Sequence, residues 1–140
     1  MATGIRWSGL SRWKRENASN EQRVKRSLRD RGRTSGKLVA DAAKSAFGGQ
    51  MSGSDRKRMA GGDKLGVFSG RLKRSISASV TVSARGLRVE IGPTGKAAIY
   101  GTVHELGIDP FPARPFLGVA VTNTAEQVFR ELGFVVKVIR

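Results

Sequence analysis

Cysteine is missing from this chain, histidine occurs once, acidic residues are few, and no apolar run approaches the length of a bilayer. Without cysteine there is no disulfide framework, no thiolate metal site and no cysteine nucleophile. The single histidine, His104, stands in His104-Glu105-Leu106-Gly107 and cannot supply a metal pair or the HExxH pattern. Eleven Asp plus Glu, dispersed along the sequence, give a paired-carboxylate site little to build on. The apolar runs fall short of the ~20 residues a spanning helix needs. The first residues, with Trp7 and Trp13 among glycine, serine and arginine, lack the apolar stretch of a secretion signal. These absences point to a protein made and used in the cytoplasm, with no membrane partner.

What the chain has in excess is positive charge. Its 140 residues carry 26 Lys plus Arg against 11 Asp plus Glu, a formal net charge of +15. Residues 1–37 hold eleven basic and three acidic groups, residues 38–74 eight and three, and residues 75–140 seven and five. The excess therefore lies toward the front, and it has three readings: an arm that meets a polyanion, an arm that meets an acidic protein surface, or a solvated face that maintains solubility. The hydrophobic fraction of 39% is below the ~45–50% usual for globular domains, a range that also counts glycine. One modest core is expected, and with no disulfide or metal the fold must rest on packing or on assembly.

Residues 1–18 show neither helical nor strand periodicity and read as a basic extended arm, with 19–140 as one domain. Ser19 and Gln22 have capping-box spacing, which starts a helix there, and Gly32 and Gly36 are positions where it could kink or break. Val39, Ala43 and Phe47 continue it until Gly48-Gly49. Residues 48–68 are rich in glycine and serine and read as a mobile loop. Ile76, Ala78, Val80 and Val82 alternate with serine and threonine, and Leu87, Val89 and Ile91 alternate with Arg88 and Glu90, which makes a hairpin turning at residues 84–86. Residues 97–106 read as a third strand, with helix as the competing reading. Pro110, Pro112 and Pro115 impose an extended crossing, Pro115 suiting the first turn of a helix whose stripe is Leu117, Val121, Thr124, Val128 and Leu132 and whose stop is Gly133. Residues 134–139 read as a last short strand, a sheet edge or a contact with a neighbouring subunit. The expected fold is α+β: a long N-terminal helix, a mainly antiparallel sheet of about four strands, and one C-terminal helix packed on that sheet.

Motifs of chemistry are weak. Residues 90–97 resemble a phosphate loop at Gly95-Lys96, but Glu90 stands where glycine is needed and Ala97 where serine or threonine is needed. Ser69 lies in Val67-Phe68-Ser69-Gly70, which is not a nucleophile elbow. No catalytic residue, cofactor or metal is assigned, and an enzyme is the poorest reading. The charge is the footprint of a nucleic-acid binder, yet the nine aromatics (six Phe, two Trp, one Tyr) form no RNA-recognition signature, and only Trp7 and Trp13 sit among basic residues where bases could stack. The basic groups that could face a partner or DNA are Arg12, Lys14 and Arg15 in the arm, Arg56, Lys57 and Arg58 in the loop, and Arg71, Lys73 and Arg74 after it.

Two segments bring in a known family. Residues 69–77, SGRLKRSIS, and residues 100–120, YGTVHELGIDPFPARPFLGVA, resemble the tail-completion and head-tail joining proteins of long-tailed bacteriophages, also described as phage virion morphogenesis or minor tail proteins. In that family a basic helix precedes a TGRL-like stretch, a hairpin, a "Y...EFG" strand and a "PARPFL" entry to a helix, an order that residues 20–132 follow. Read physically, Gly70 lets the loop turn while Leu72 and Ile76 face one side and Arg71, Lys73 and Arg74 face outward. Glu105, beside Gly107, ends a strand with a charge near a tight turn, close in sequence to Arg114, with which it could pair. Pro115, with Pro112, sets the approach by which Phe116 and Leu117 enter the core. Ser69 where threonine is common, Leu106 where phenylalanine is common, and a longer basic arm are the departures.

The resemblance implies a virion subunit. It would form a ring, a hexamer by the family's habit, at the head-tail interface, as tail terminator, joining protein or other neck component. Its neighbours would be the tail tube protein and the head connector or head-closure protein, with genomic DNA in transient contact as it passes through. For residues 1–37 docking on acidic neighbours is favoured over lining the DNA passage. The rival from another class is a non-specific nucleic-acid-binding basic protein.

Overall fold

The computed structural model describes residues 10–49, 65–67, 69–109 and 111–133. Its elements are α1 (Leu10–Ser45), α2 (Arg71–Ser75), β1 (Ile76–Ser83), β2 (Gly86–Pro93), α3 (Ala97–Leu106) and α4 (Leu117–Leu132). The expected strand at 134–139, most of the expected loop at 48–68, and Arg56, Lys57 and Arg58 lie outside the described residues.

The first helix overturns the expected extended arm over its second half, residues 10–18. Between Leu10 and Arg31 there is no glycine or proline to stop a helix, and pairs one turn apart support it: Arg12 with Glu16 at 2.8 Å, and Glu21 with Lys25. Ser19 is therefore mid-helix and caps nothing. At about 1.5 Å per residue, the 36 residues of α1 span about 54 Å. Residues 11–24 are exposed on every side, so the front of α1 is a projecting basic rod.

α1 runs unbroken through Gly32 and Gly36. A Cβ at Gly36 would lie 2.8 Å from Ala78 Cβ and 3.1 Å from Val89 Cγ1, and one at Gly32 would lie 2.9 Å from both Val80 Cγ1 and Leu87 Cδ1. The two glycines are the places where the helix comes down onto the hairpin. Antiparallel register sets Ala78 opposite Ile91, Val80 opposite Val89 and Val82 opposite Leu87. Period two then gives the hairpin one apolar face beneath α1 and one polar face of serine, threonine, Arg88 and Glu90.

The sheet has these two strands only among the described residues; the expected four-stranded sheet is not seen. Residues 97–106, read as a third strand, form α3. Ile99, Val103 and Leu106 fall at helical spacing, and Ala97 and Ala98 favour helix. Gly101 lets α3 cross β2 closely, because a Cβ there would be 2.5 Å from Pro93 Cγ. Gly107 ends the helix at φ +71°, its N–H bonded to Val103 O at 3.0 Å.

The last helix also departs from expectation, because α4 packs on α1 and not on the sheet. Its inward residues are Ala120 and Thr124, with Leu117 and Val128 half-buried; Val121, expected in the stripe, is exposed. The Thr124 hydroxyl donates to Ala120 O at 2.7 Å, so its burial leaves no orphan group. Gly133 closes α4 in the left-handed region, as its place in the sequence indicates.

The core is small: Val39, Ala40, Ala43, Phe47, Leu65, Ile76, Phe116 and Ala120. Phe47 and Phe116 meet with ring centroids 5.1 Å apart. Gly48 N–H to Leu65 O at 2.9 Å and Val67 N–H to Gly49 O at 3.1 Å fasten the chain after α1 to the segment before α2. Because the α1–hairpin contact has no room for a side chain, Gly36→Val should lower stability by about 2–3 kcal/mol through overpacking, against the gain of about 1 kcal/mol that replacing glycine usually brings in a helix. Urea unfolding followed by circular dichroism measures it.

Candidate functional site

The PARPFL segment and α3 meet at one carboxylate. Glu105 sits in the last turn of α3, and its side chain reaches the start of α4, whose N-cap position, Phe116, offers no side-chain cap. Glu105 Oε2 accepts from Phe116 N–H at 2.9 Å and Leu117 N–H at 3.0 Å, and Oε1 from Gly118 N–H at 2.7 Å. Three of the four N–H groups that a helix start leaves without intrahelical partners are thus satisfied by a charge at the favourable end of the helix dipole. Gly118 leaves space for this contact, since a Cβ there would be 3.1 Å from Oε1. The sequence reading offered Glu105 a pairing with Arg114 and did not foresee this cap.

The turn between the two helices is as tightly specified. A Cβ on Gly107 would lie 2.6 Å from Ala113 N, and Arg114 N–H donates to His104 O at 2.7 Å. Arg114 is buried, while Pro115 precedes the helix and is exposed; the expected place for Pro115 in the first turn of α4 is corrected by two residues. Phe116 is 1% exposed and fills the core as expected. His104 is half-buried, with Phe111 against it at 6.2 Å between centroids. Its Nδ1 is enclosed and has no hydrogen-bond partner among the described residues. Burial, and secondarily the positive Arg114, lowers its pKa.

The other motif, SGRLKRSIS, also builds a joint. Gly70 at φ +69° turns the chain into α2, Leu72 packs against the core and Ile76 is 1% exposed. Of the three cations expected to face outward, Arg71 and Arg74 are exposed and Lys73 is half-buried; Arg74 also donates from Nη2 to Ser69 O at 3.1 Å. Arg71 and Lys73, with Lys96, border a cavity of about 730 Å³ whose floor includes Phe47, Leu65, Leu72 and His104. Arg12, Lys14 and Arg15 stand far along the sequence on the exposed rod of α1. The described candidate cations thus lie on two different elements, α1 and α2. Among the described residues no three His, Asp or Glu side chains gather as a metal site.

A set of exposed apolar side chains was not foreseen from the sequence. Ile99 and Leu106, two turns apart on α3, are 70% and 69% exposed, Tyr100 is 65% exposed, and Ile108 and Phe111 in the following turn are 49% and 52% exposed. Val119, Val121 and Phe129 on α4 are exposed as well. Residues 97–106 hold the signal in their helical spacing, since an apolar stripe on a helix that covers no core of its own is a surface in search of a partner.

Two outcomes follow. Glu105→Ala should cost about 2 kcal/mol, the range of a lost helix cap with charged hydrogen bonds, read as a lower urea midpoint with loss of α4 helicity. His104 takes up a proton more readily unfolded than folded, so its contribution is full above the unfolded value of about 6.5 and is lost as pH falls through the lowered folded value. The urea midpoint should drop between pH 7.5 and pH 5, and His104→Gln should flatten that drop.

No family model matches this chain, and neither a curated protein nor a solved structure matches it.

Proposed function

We propose that this protein is a structural component of a tailed-phage virion, a subunit that closes into a ring at the head-tail interface and through which DNA passes. The observation that carries the reading is the exposed apolar surface of Ile99, Tyr100, Leu106, Ile108 and Phe111. Five large apolar side chains exposed on one short helix and the turn that follows it are costly to leave in water, at roughly 25 cal/mol per Å² of apolar surface. Soluble monomers rarely keep large apolar patches without a partner. Val119, Val121 and Phe129 on α4 are exposed apolar residues as well, and a head-to-tail contact between unlike surfaces generates a ring where its rotation closes and an open filament where it does not.

The motifs shared with tail-completion and joining proteins support the same reading. SGRLKRSIS and HELGIDPFPARPFLG form the two joints that fix α2 to β1 and α3 to α4. The four-stranded sheet is no part of this proposal. Tail tube and head connector would be the ring's neighbours, with the projecting basic half of α1 directed at one of them, and the assembled protein would reside in the neck of the virion.

Negative-stain images of the purified protein mixed with tail tubes test the assignment. Rings seated at tube ends are expected, and Leu106→Asp with Phe111→Asp should abolish them while leaving the helical circular-dichroism signal intact. Binding to free duplex DNA with a steep salt dependence and no association with tubes would instead favour the basic nucleic-acid-binding protein.

A further inference from the structure

The hairpin has two outer edges, and they are unlike. The edge of β2 is blunted by Arg88, Glu90 and Pro93, the devices that discourage strand addition. The edge of β1 has none of these: its sequence, ISASVTVS, is eight residues without charge or proline. Among the described residues β1 pairs with β2 alone. In an antiparallel pair alternate residues turn their N–H and C=O away from the partner strand, so one edge of β1 offers a row of alternating donors and acceptors.

That edge lies beside a groove. Between α1 and β1 runs a cleft of about 290 Å³ lined by Arg33, Lys37, Asp41 and Lys44 from the helix and by Ile76, Ala78 and Val80 among the strand residues. Arg33, Lys37 and Lys44 recur at four and seven residues, which places them along one face of α1. Asp41 is the single acid there, and Arg33 also approaches Asp30 at 4.0 Å. The groove therefore combines a strand edge left unpaired among the described residues with three cations and one acid.

We infer that this groove takes an extended acidic segment of another protein, which adds to β1 as a third strand and places its carboxylates against Arg33, Lys37 and Lys44. A peptide backbone matches both the donors and the acceptors of a strand edge; a phosphodiester chain has acceptors only and would leave the outward C=O groups unmet. A second copy of β1 is disfavoured, because it would bring its own Arg33, Lys37 and Lys44 close to these. The chain's apolar segment 134–139 has β-forming residues, but its only charge is Lys137, the wrong sign for this groove. The inference concerns the isolated chain and holds whether or not the chain forms a ring.

The test uses the full chain and a fluorescent eight-residue peptide of alternating threonine and glutamate. Three results are expected in polarisation at low salt. The acidic peptide should bind at least tenfold more tightly than its threonine-glutamine counterpart, N-methylation of alternate peptide bonds along one edge should weaken it at least tenfold, and the double variant Lys37→Glu, Lys44→Glu should lose it with an unchanged thermal midpoint. Backbone amides of β1 should exchange more slowly in the complex. The N-methylation result is read on the unaltered protein and does not depend on how the double variant folds. No binding, equal binding of the glutamine peptide, or indifference to N-methylation would overturn the inference. So would duplex DNA that binds in a Lys37-dependent way where the peptide does not, which would make the groove a polyanion site.

Discussion

The close approach of α1 to the hairpin at Gly32 and Gly36 is the constraint on which the rest of the structure depends. With no side chain at either position, the helix backbone rests on Ala78, Val80, Leu87 and Val89, and this fixes where Val39, Ala43 and Phe47 stand further along the chain. The same helix supports α4, so the hairpin and α4 are held together through α1. Phe116 meets Phe47 at the end of this arrangement, and Glu105 holds the start of α4 in the place that lets Phe116 do so. Moving α1 by the width of a methyl group would disturb each of these contacts in turn.

A fold organised around one helix has a limited interior. Eight buried apolar side chains, three of them alanines, contribute little against the conformational entropy of ordering a chain of this length. Some of the largest apolar residues, Trp13, Ile99, Tyr100, Leu106 and Phe111, are outside that interior. Residues 11–24 add a helix exposed all round, and isolated helices of such length are marginal in water. A small core, an exposed apolar surface and a free-standing rod are the features that the proposed assembly with other chains would account for together.

Some of this was legible in the residues. The hairpin register follows from strict alternation, and Gly70, Ile76, Phe116 and Gly133 stand where turn chemistry and apolar spacing put them. Other features were hidden because local signals compete. Gly32 and Gly36 carry a helix-breaking cost that speaks against a helix until the hairpin beneath it is known. Residues 97–106 contain isoleucine, tyrosine, threonine and valine, which favour strands, yet no strand edge receives them, and the helical spacing of Ile99, Val103 and Leu106 prevails. Ser19 has capping-box spacing but no reason to start a helix, because nothing before it back to Leu10 ends one. The Glu105 cap joins residues eleven to thirteen apart through a turn that sequence spacing alone does not define. The exposed patch on α3 was missed because a strand reading points alternate residues inward, whereas a helix turns Ile99 and Leu106 to the same side.

The proposed completion by identical copies would make stability a function of protein concentration, since whatever binds the folded chain and not the unfolded one stabilises it by mass action. Urea unfolding of the full chain, repeated from the low micromolar to the high micromolar range and paired with native mass spectrometry, measures this directly. The account predicts a midpoint that rises with concentration as a closed oligomer fills. A midpoint that stays constant, with a folded monomer at every concentration, would contradict it.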